Sequence, residues 1–495
     1  MGIFSQSKPS NVIFVLVRKK KDRIILENVL VEAYAAEGKS IARVNGKAVF
    51  IEKAVPGDVV NVLLHKNKKD WAEGEAITIH QPSSQRAEPF CSHFGTCGGC
   101  SWQMLPYHLQ LQYKAQQVHD HLTRLAKISL PPFEPIIGAA ATKGYRNKVE
   151  FTFSNKKYIP KANFKQLPPH AIPKDEPVGY GGFHAKGVFD KVVEIDTCFL
   201  QNEPTNAIRK AIVAFGRTHH IPFYDARLHT GWLRNVMIRL ARTGQLMVNI
   251  VVGYEDKTLR EALLNSIEQQ FPEITTLLYT INPKFNDSIY DIPVHTWKGP
   301  GYIIETLEDF QFKIGPKSFF QTNTTQGEQL YRLIREMAEL NGTQTVYDLY
   351  CGTGSIGIFV SKQAKKIVGV ETVPEAIEDA KENAAINNIH DAAFFAGDVI
   401  KICTDDFFAQ NGRPDVIITD PPRAGMHEKL IQKLLDIAAP LVVYVSCNPA
   451  TQARDLAILD EKYTVTKVQP VDMFPHTFHI ENIVQLKLKE TFINP

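Results

Sequence analysis

Short apolar or β-branched segments alternate with helical stretches in the C-terminal third of the chain, and this alternation restricts the fold more than any other sequence feature. Helical stretches such as Pro374–Asn387 and Lys429–Ala438 separate the segments. Such alternation is typical of a parallel sheet with covering helices. The sequence therefore predicts an α/β domain over residues 311–495. Its five predicted strands are Thr345–Leu349, Lys366–Glu371, Ala393–Ala396, Asp415–Thr419 and Leu441–Val445.

A glycine-rich turn, YCGTGSIG, follows the first predicted strand at Tyr350–Gly357. Glycines in such a turn let the chain reverse tightly and let a ligand approach the backbone closely. The spacing of Gly352, Gly354 and Gly357 predicts a Rossmann-like nucleotide-binding sheet. The glycine spacing alone does not show whether the bound cofactor is a nicotinamide dinucleotide or S-adenosylmethionine.

The ends of the next two predicted strands carry carboxylates. Glu371 is placed to accept the ribose hydroxyls of an adenosine, and Asp398 follows the third strand, where a polar side chain can meet the adenine amine. The glycine turn contains no basic residue, which suits an adenosine without a pyrophosphate. Glu371 alone is also typical of an exposed loop, but together with the glycine turn it favours S-adenosylmethionine as the cofactor.

The loops after the fourth and fifth strands carry the candidate reactive groups. Asp420 opens the segment DPPR, which two prolines stiffen, and Cys447 lies in the turn SCNP. A thiolate is a strong nucleophile when its surroundings lower its pKa. Its addition to carbon 6 of uracil makes carbon 5 reactive towards a methyl donor, and a base must then remove the carbon 5 proton. Glu481, in the strand-like segment His479–Leu488, is the candidate base.

Five segments together resemble the family of RNA uracil-5-methyltransferases, in particular its bacterial 23S ribosomal RNA branch. They are FFQTN (Phe319–Asn323), DLYCGTGSIG (Asp348–Gly357), DPPRAG (Asp420–Gly425), SCNP (Ser446–Pro449) and HIENIV (His479–Val484). The combination of SCNP with DPPR is specific, whereas many nucleotide-binding proteins share the glycine turn.

The resemblance implies S-adenosylmethionine-dependent methylation of carbon 5 of a uridine in 23S ribosomal RNA, on a base flipped out of the RNA. It implies that Cys447 is the nucleophile and Glu481 the base. The residues that it places against S-adenosylmethionine are Gln321, Tyr350, Glu371 and Asp420, with Ser355 and Asp398 as additions.

Residues 1–85 contain short strands and turns. Asn45-Gly46 is typical of a two-residue hairpin turn. The pattern predicts an OB-like β-barrel of the kind that binds oligonucleotides, with basic loops at Arg18–Lys21 and Lys66–Lys69. This region resembles the TRAM domain, an RNA-binding domain that accompanies the family.

Residues 86–310 are predicted to form a central α+β domain, with a Lys- and Pro-rich excursion at Lys156–Pro177. It opens with Cys91, Cys97 and Cys100 in the pattern C-x5-C-x2-C, and Cys198 is the candidate fourth ligand. Four thiolates suit either a zinc ion or a four-iron cluster. The resemblance favours a [4Fe–4S] cluster at these four cysteines.

The chain contains seven cysteines, and an odd number without a secretory signal argues against a disulfide framework. We interpret Cys351 and Cys403 as ordinary thiols. No apolar run reaches the roughly 18 residues of a membrane helix. We therefore predict a cytoplasmic protein whose partner is RNA, without membrane association.

Three alternatives stay open at this point. Within the same reaction, transfer RNA is the alternative target to ribosomal RNA. A nicotinamide-dependent oxidoreductase with an iron–sulfur domain explains the glycines and the cysteine cluster, but it gives no role to Asp420 or Cys447. A non-catalytic RNA-binding factor of the same fold predicts the loss of Cys447 or Glu481, and both are present.

Overall fold

The computed structural model describes residues 24–160 and 179–492. The basic loop Arg18–Lys21 and most of the excursion Lys156–Pro177 lie outside the described residues. The chain divides into two compact units. Within the described residues, the first comprises residues 24–35 and 39–85, and the second comprises residues 36–38, 86–160 and 179–492.

The N-terminal unit is an OB-like six-stranded sheet with a small apolar core. Its strands, in the order β1-β5-β6-β4-β3-β2, are β1 (Ile25–Leu30), β2 (Ala33–Tyr34), β3 (Ser40–Val44), β4 (Lys47–Glu52), β5 (Val59–Asn67) and β6 (Trp71–Gln81). Asn45 and Gly46 join β3 to β4 with φ of 52° and 79°, as a two-residue hairpin turn requires. Ile51, Val60 and Val62 are fully buried between the strands. The predicted strand-rich N-terminal fold is confirmed.

The second unit contains helix α1 (Tyr107–His121), which packs against the C-terminal sheet although it lies in the predicted central domain. A π-helical turn follows at Leu122–Ala126. Lys114 on this helix is fully buried, and its Nζ lies 2.6 Å from Oδ1 of the equally buried Asp472. The same ammonium donates to the carbonyl of Phe474 at 3.1 Å. The division at residue 310 therefore stays a prediction, because α1 connects the two regions.

A mixed seven-stranded sheet forms the central region. In the order β13-β12-β11-β10-β7-β8-β9, it consists of β7 (Lys148–Ser154), β8 (Tyr180–His184), β9 (Val192–Glu194), β10 (Leu233–Leu240), β11 (Leu246–Val252), β12 (Thr276–Ile281) and β13 (Val294–Lys298). Among the described residues of this region, the helices α2 (Thr205–Thr218) and α3 (Lys257–Gln270) accompany the sheet. Only the pair β11 and β12, joined by α3, is parallel. The predicted α+β character is confirmed.

The C-terminal region begins with the hairpin of β14 (Ile303–Leu307) and β15 (Phe310–Ile314), followed by α4 (Thr324–Met337). A second seven-stranded sheet follows. Its strands are β16 (Thr345–Leu349), β17 (Lys366–Glu371), β18 (Ala392–Ala396), β19 (Val416–Thr419), β20 (Leu441–Ser446), β21 (Tyr463–Val471) and β22 (Glu481–Leu488). Its helices are α5 (Ser355–Val360), α6 (Pro374–Ile386), α7 (Val399–Ile402), α8 (Asp405–Asn411), α9 (Glu428–Ile437) and α10 (Pro449–Leu459).

The order of this sheet, β18-β17-β16-β19-β20-β22-β21, determines where a ligand binds. The first five strands are parallel and the last two are antiparallel to their neighbours. The order reverses between β16 and β19, and open α/β sheets bind ligands at the carboxyl ends of the strands beside such a reversal. The five predicted strands and the Rossmann-like α/β class are confirmed, whereas β21 is absent from the prediction.

Among residues 24–160 and 179–492, no helix combines the length and the apolarity needed to cross a membrane.

Candidate active site

Strand register brings Tyr350, Glu371 and Asp420 to one edge of the C-terminal sheet. Leu349, the last residue of β16, pairs with Val370 on one side and with Thr419 on the other. Tyr350, Glu371 and Asp420 come directly after these three positions. They therefore lie side by side at the ends of adjacent parallel strands. This edge is the ligand-binding edge that the strand order predicts.

The glycine turn after β16 leaves room beside the backbone. Gly352 has a φ of 53°, and a side chain added there would meet no atom within 4 Å. Gly354 has a φ of 75°, and a side chain there would lie 3.0 Å from Ala380. The carboxylate of Asp348, in β16, fixes the end of the turn, because its Oδ2 accepts a hydrogen bond from the N–H of Gly357 at 2.8 Å. The turn is thus fixed by the protein on one side and open to a ligand on the other.

Glu371 is held at this turn by backbone and hydroxyl donors. Its Oε2 accepts the N–H of Gly352 at 3.3 Å, and its Oε1 accepts the N–H of Val373 at 3.0 Å. Asp398 is exposed and caps α7 through the N–H of Ile400 at 2.9 Å. Both carboxylates therefore lie at strand ends, as the sequence predicts.

Two further predicted cofactor residues are buried nearby. The hydroxyl of Ser355 lies 2.8 Å from that of Tyr331, so its hydrogen-bonding capacity is already partly used. Gln321 is 8% exposed, and its backbone carbonyl accepts a hydrogen bond from Nδ2 of Asn147 at 2.8 Å. The segment that carries Gln321 reaches the glycine turn, because the carbonyl of Phe319 accepts from the hydroxyl of Thr353 at 3.4 Å.

Cys447 and Glu481 face each other at the ends of antiparallel neighbours. Ser446, the last residue of β20, pairs with Asn482 in β22. Cys447, which follows β20, is therefore placed opposite Glu481, the first residue of β22. Glu481 is only 7% exposed, and Cys447 is half-buried. The structure thus brings together two residues that lie far apart in the sequence.

Arg423, from the DPPR loop, is a further site residue that was not assigned a role by the sequence reasoning, and its positive charge lowers the pKa of both the Cys447 thiol and the Glu481 carboxyl. It contacts the Cys447 thiol, and its Nη2 lies 3.1 Å from Nδ1 of His479. Its position within the DPPR segment is the signal that marks it. A guanidinium beside a thiol favours the thiolate and therefore the nucleophilic form of the cysteine.

Burial dominates the protonation of the reactive groups. It raises the pKa of the Asp420 carboxyl to about 7. Burial and then the negative charge of Asp420 raise the pKa of Glu481 well above its ordinary value. The pKa of the Cys447 thiol rises to about 11, because burial and the charges of Glu481 and Asp420 outweigh the effect of Arg423. A cationic ligand at this edge would lower all three pKa values.

Residues 302–489 match the family described as tRNA (Uracil-5-)-methyltransferase, and residues 27–77 match the TRAM domain. A Bacteroides thetaiotaomicron protein named an uncharacterized RNA methyltransferase is 51% identical over 92% of this chain and 100% of its own length. The chain belongs to the RNA uracil-5-methyltransferase family. A Porphyromonas gingivalis protein of the same name is 49% identical to this methyltransferase, over 91% of this chain and 98% of its own length.

A solved structure extends the likeness over nearly the whole methyltransferase. It is the Pyrococcus abyssi tRNA (uracil-54, C5)-methyltransferase in complex with S-adenosyl-L-homocysteine. The two proteins share 26% identity and a TM-score of 0.71, with coverage of 93% of this chain and 98% of that chain. The enzyme is therefore an S-adenosylmethionine-dependent RNA methyltransferase, which favours this activity over a nicotinamide-dependent oxidation.

The residues at the carboxyl edge fit S-adenosylmethionine. Asp348, Glu371, Asp420 and Glu481 supply an excess of carboxyl groups, and burial raises the pKa of Asp348 to about 7 as well. One oxygen of the Asp348 carboxyl, Oδ1, is buried without a hydrogen-bond partner among the described residues. A sulfonium cofactor supplies the positive charge that ionised carboxyl groups require in a buried site.

Asp455 of α10 positions the DPPRAG loop of the methyltransferase and was missed by the sequence reasoning. Its Oδ2 accepts the N–H of Met426 at 2.8 Å and the hydroxyl of Tyr444 in β20 at 2.7 Å. Gly425 closes the loop with a φ of 74°, and a side chain there would lie 2.8 Å from the same carboxylate. That glycine is the sequence signal for a close approach at this point. One buried carboxylate thus joins the DPPRAG loop to β20, the strand that leads to Cys447.

The four predicted ligand cysteines of the methyltransferase line one apolar pocket, together with Phe90 and Phe199. They are Cys91, Cys97, Cys100 and Cys198. Among the described residues, no group of three or more His, Cys, Asp or Glu stands close enough together to hold a metal ion. One zinc ion brings its thiolates within ~4 Å of each other, whereas a four-iron cluster binds each thiolate on a different iron and holds them further apart. The four thiols therefore share one pocket, and the [4Fe–4S] cluster stays a prediction.

Proposed function

We propose that this methyltransferase transfers the methyl group of S-adenosylmethionine to carbon 5 of a uridine in 23S ribosomal RNA. The observation that carries the proposal is the position of Cys447 opposite Glu481, at the same sheet edge as the glycine turn. A thiol and a carboxylate facing each other supply the two groups that methylation of a uracil ring requires. The cytoplasm, where such RNA is found, is the proposed location.

The thiolate of Cys447 adds to carbon 6 of the flipped uracil and forms a sulfur–carbon bond. The electron pair of the 5,6 double bond then makes carbon 5 nucleophilic, and carbon 5 accepts the methyl group. Arg423 contacts the thiol and favours its ionised form. S-adenosylmethionine, when bound, would supply the methyl group and the positive charge of its sulfonium, and it would leave as the neutral thioether S-adenosylhomocysteine.

Glu481 then removes the proton from carbon 5. The electron pair of the broken carbon–hydrogen bond restores the 5,6 double bond and expels the thiolate of Cys447, so the enzyme is regenerated. The raised pKa of Glu481 makes its carboxylate a stronger base than an exposed glutamate. The residues that we propose to contact S-adenosylmethionine are Gln321, Tyr350, Glu371 and Asp420, with Ser355 and Asp398 as additions.

Ribosomal RNA is the proposed target because the segments FFQTN, DPPRAG and SCNP resemble the 23S branch of the family. Transfer RNA is the second candidate. The Pyrococcus abyssi protein whose structure matches nearly the whole chain is named a tRNA (uracil-54, C5)-methyltransferase. Both candidates require the same chemistry at Cys447 and differ in the RNA that reaches it.

Mass spectrometry of RNA from cells with and without the gene tests the target. We expect 5-methyluridine to disappear from a 23S ribosomal RNA position in the deletion strain, and to return with the wild-type gene but not with a Cys447→Ala gene. Loss confined to transfer RNA would move the proposal to the second candidate. Unchanged 5-methyluridine in both RNA classes, with a purified enzyme inactive on both, would refute the proposed reaction.

We also propose that Cys91, Cys97, Cys100 and Cys198 hold a [4Fe–4S] cluster. Such a cluster, when bound, supplies a covalent link between the loop of the first three cysteines and the segment after β9. Its four thiolates occupy all four irons, so we assign it a structural role. The cysteine loop also supports the catalytic segment: the N–H groups of Ser101 and Trp102 donate to the carbonyl of His476 at 2.8 and 3.0 Å, five residues before Glu481.

Metal analysis of anaerobically purified protein checks the cluster. We expect about four irons and four labile sulfides per chain, and a loss of more than half of both in Cys198→Ala. Cys403→Ala is the matched control, because Cys403 is a fully buried thiol outside the cysteine pocket, and it should keep the wild-type iron content. Zinc without iron or sulfide in the wild-type protein would contradict the proposal.

A further inference from the structure

An exposed aromatic surface lies on the central region, away from the proposed catalytic residues. We define it by Phe189, Arg227, His229 and Phe285, which line one groove with the ends of β7 and β10. Phe189 is 64% exposed and Phe285 is 75% exposed. Exposed apolar side chains that share one groove indicate an interaction site, unlike exposed side chains that are scattered singly. The proposed reaction gives them no role.

The loop that carries Phe285 is fixed by the protein interior. Arg234 is 1% exposed, and its guanidinium donates to the carbonyls of Asn282, Lys284 and Asn286 at 2.7, 2.6 and 3.0 Å. It also stacks on Tyr224, with 4.0 Å between the guanidinium carbon and the ring centroid. A buried cation with this many partners holds the loop in one conformation. The exposed ring is therefore preorganised for binding, and little conformational entropy is lost when a ligand contacts it.

Each exposed ring has one face covered by a planar partner and leaves the rest to solvent. Phe285 stacks on His229, with ring centroids 4.3 Å apart and an angle of 23° between the rings. Arg227 lies over Phe189, with its guanidinium carbon 5.4 Å from the ring centroid. Planar groups with a free face are what an unpaired nucleic acid base stacks on.

The charges of this surface are largely neutralised within the protein. Arg227 pairs with the buried Asp190, and Arg234 pairs with Asp287 at 2.9 Å. Lys156 pairs with Asp225 at 2.8 Å. Both arginines among the described residues that line the groove are thus paired, so we expect ligand binding here to depend on stacking more than on charge. This distinguishes the surface from a basic patch that binds any nucleic acid backbone.

Two paths within the protein connect the surface to the segment that carries Gln321. β7 begins directly after Asn147, whose side chain donates to the backbone carbonyl of Gln321, and ends at Ser154 in the groove, a length of roughly 20 Å. On the second path, Nζ of Lys317 donates to the carbonyl of Tyr290 at 3.0 Å, in the segment that follows Phe285. Phe319, two residues further along from Lys317, is 67% exposed.

We propose that the aromatic surface binds unpaired nucleotides of the substrate RNA, with bases stacked on Phe285 and Phe189. The inference rests on the proposed function, because it takes the RNA substrate as the occupant. The continuity with the segment of Gln321 favours RNA over a protein partner. An RNA strand that delivers a flipped uridine to Cys447 extends along β7 to reach these rings.

Fluorescence anisotropy with the full-length enzyme tests the inference. The probes are an unpaired oligoribonucleotide of about 12 nucleotides and the same strand annealed to its complement. We expect Phe285→Ala to weaken binding of the unpaired strand about tenfold and to leave duplex binding unchanged. Phe285→Trp should keep the affinity within about twofold, because it retains a ring. Phe492→Ala is the control, since Phe492 is a 41% exposed aromatic residue at the C-terminus.

The salt dependence separates stacking from charge. The slope of log affinity against log salt should be the same for wild type and Phe285→Ala, because no phosphate contact is removed. A Phe189→Ala/Phe285→Ala double variant that binds the unpaired strand as tightly as wild type would overturn the inference, and such a result would point to a protein partner. A wild-type enzyme that binds RNA through these rings but methylates none would refute the proposed function and leave this inference standing.

Discussion

Replacing Cys447 by alanine is expected to abolish methyl transfer to RNA, with a fall in rate of ~10⁴-fold or more. Without the thiolate, carbon 5 of uracil is too weak a nucleophile to accept the methyl group. The side chain is half-buried in the turn between β20 and α10, so its truncation removes little packing. Transfer of a radioactive methyl group to RNA under single-turnover conditions measures the effect. RNA affinity, measured separately, should change less than about twofold.

Cys403→Ala is the matched control for this experiment. Cys403 is fully buried in the apolar layer between the sheet and its helices, far along the chain from the SCNP turn. Its replacement should leave the methylation rate near that of wild type. Methylation by Cys447→Ala at a rate close to wild type would exclude the covalent mechanism.

Replacing Glu481 by glutamine is expected to trap the enzyme on its RNA. The thiolate addition and the methyl transfer do not need the base, but the removal of the carbon 5 proton does. Turnover should fall by ~10²–10⁴-fold, while a covalent protein–RNA species accumulates. The glutamine keeps the size of the side chain in a position that is only 7% exposed. Denaturing gel electrophoresis with labelled RNA and S-adenosylmethionine detects the adduct.

Two variants make this result interpretable. Cys447→Ala/Glu481→Gln should form no adduct, because the sulfur that bonds to carbon 6 is absent. Glu490→Gln, an exposed glutamate in the C-terminal 3₁₀ turn Glu490–Phe492, should turn over normally without adduct. A slow Glu481→Gln enzyme that never accumulates adduct would assign the proton removal to another group. Asp420 is the next candidate, because its negative charge already acts on the Glu481 carboxyl.

The sequence predicts the C-terminal sheet well because its signals are local. Parallel strands buried on both faces appear as continuous apolar runs, and the run Lys366–Glu371 has the boundaries that the structure shows. β21 escapes prediction because Tyr463–Val471 contains Pro470 and several polar residues. It is a strand only through its pairing with β22, and that pairing cannot be read from a local pattern.

The site was predictable in its parts, whereas its assembly depends on tertiary register. Cys447 and Glu481 each carry a motif, but their apposition follows from the pairing of Ser446 with Asn482. Asp455 lies in a helix whose sequence marks it as an ordinary polar position, and only the packed structure shows it fully buried. The aromatic surface gives no sequence signal either, because exposure of a phenylalanine is set by the whole fold.

The buried ion pair of Lys114 and Asp472 means that the catalytic domain is not one continuous stretch of sequence. Removing one partner of such a pair leaves a buried charge at a cost of about 3–5 kcal/mol. A graft of residues 302–489 onto another scaffold would carry Asp472 without its lysine and would release the segment that leads to Glu481. The module that recombination or protein engineering can exchange between relatives is therefore α1 together with the C-terminal third.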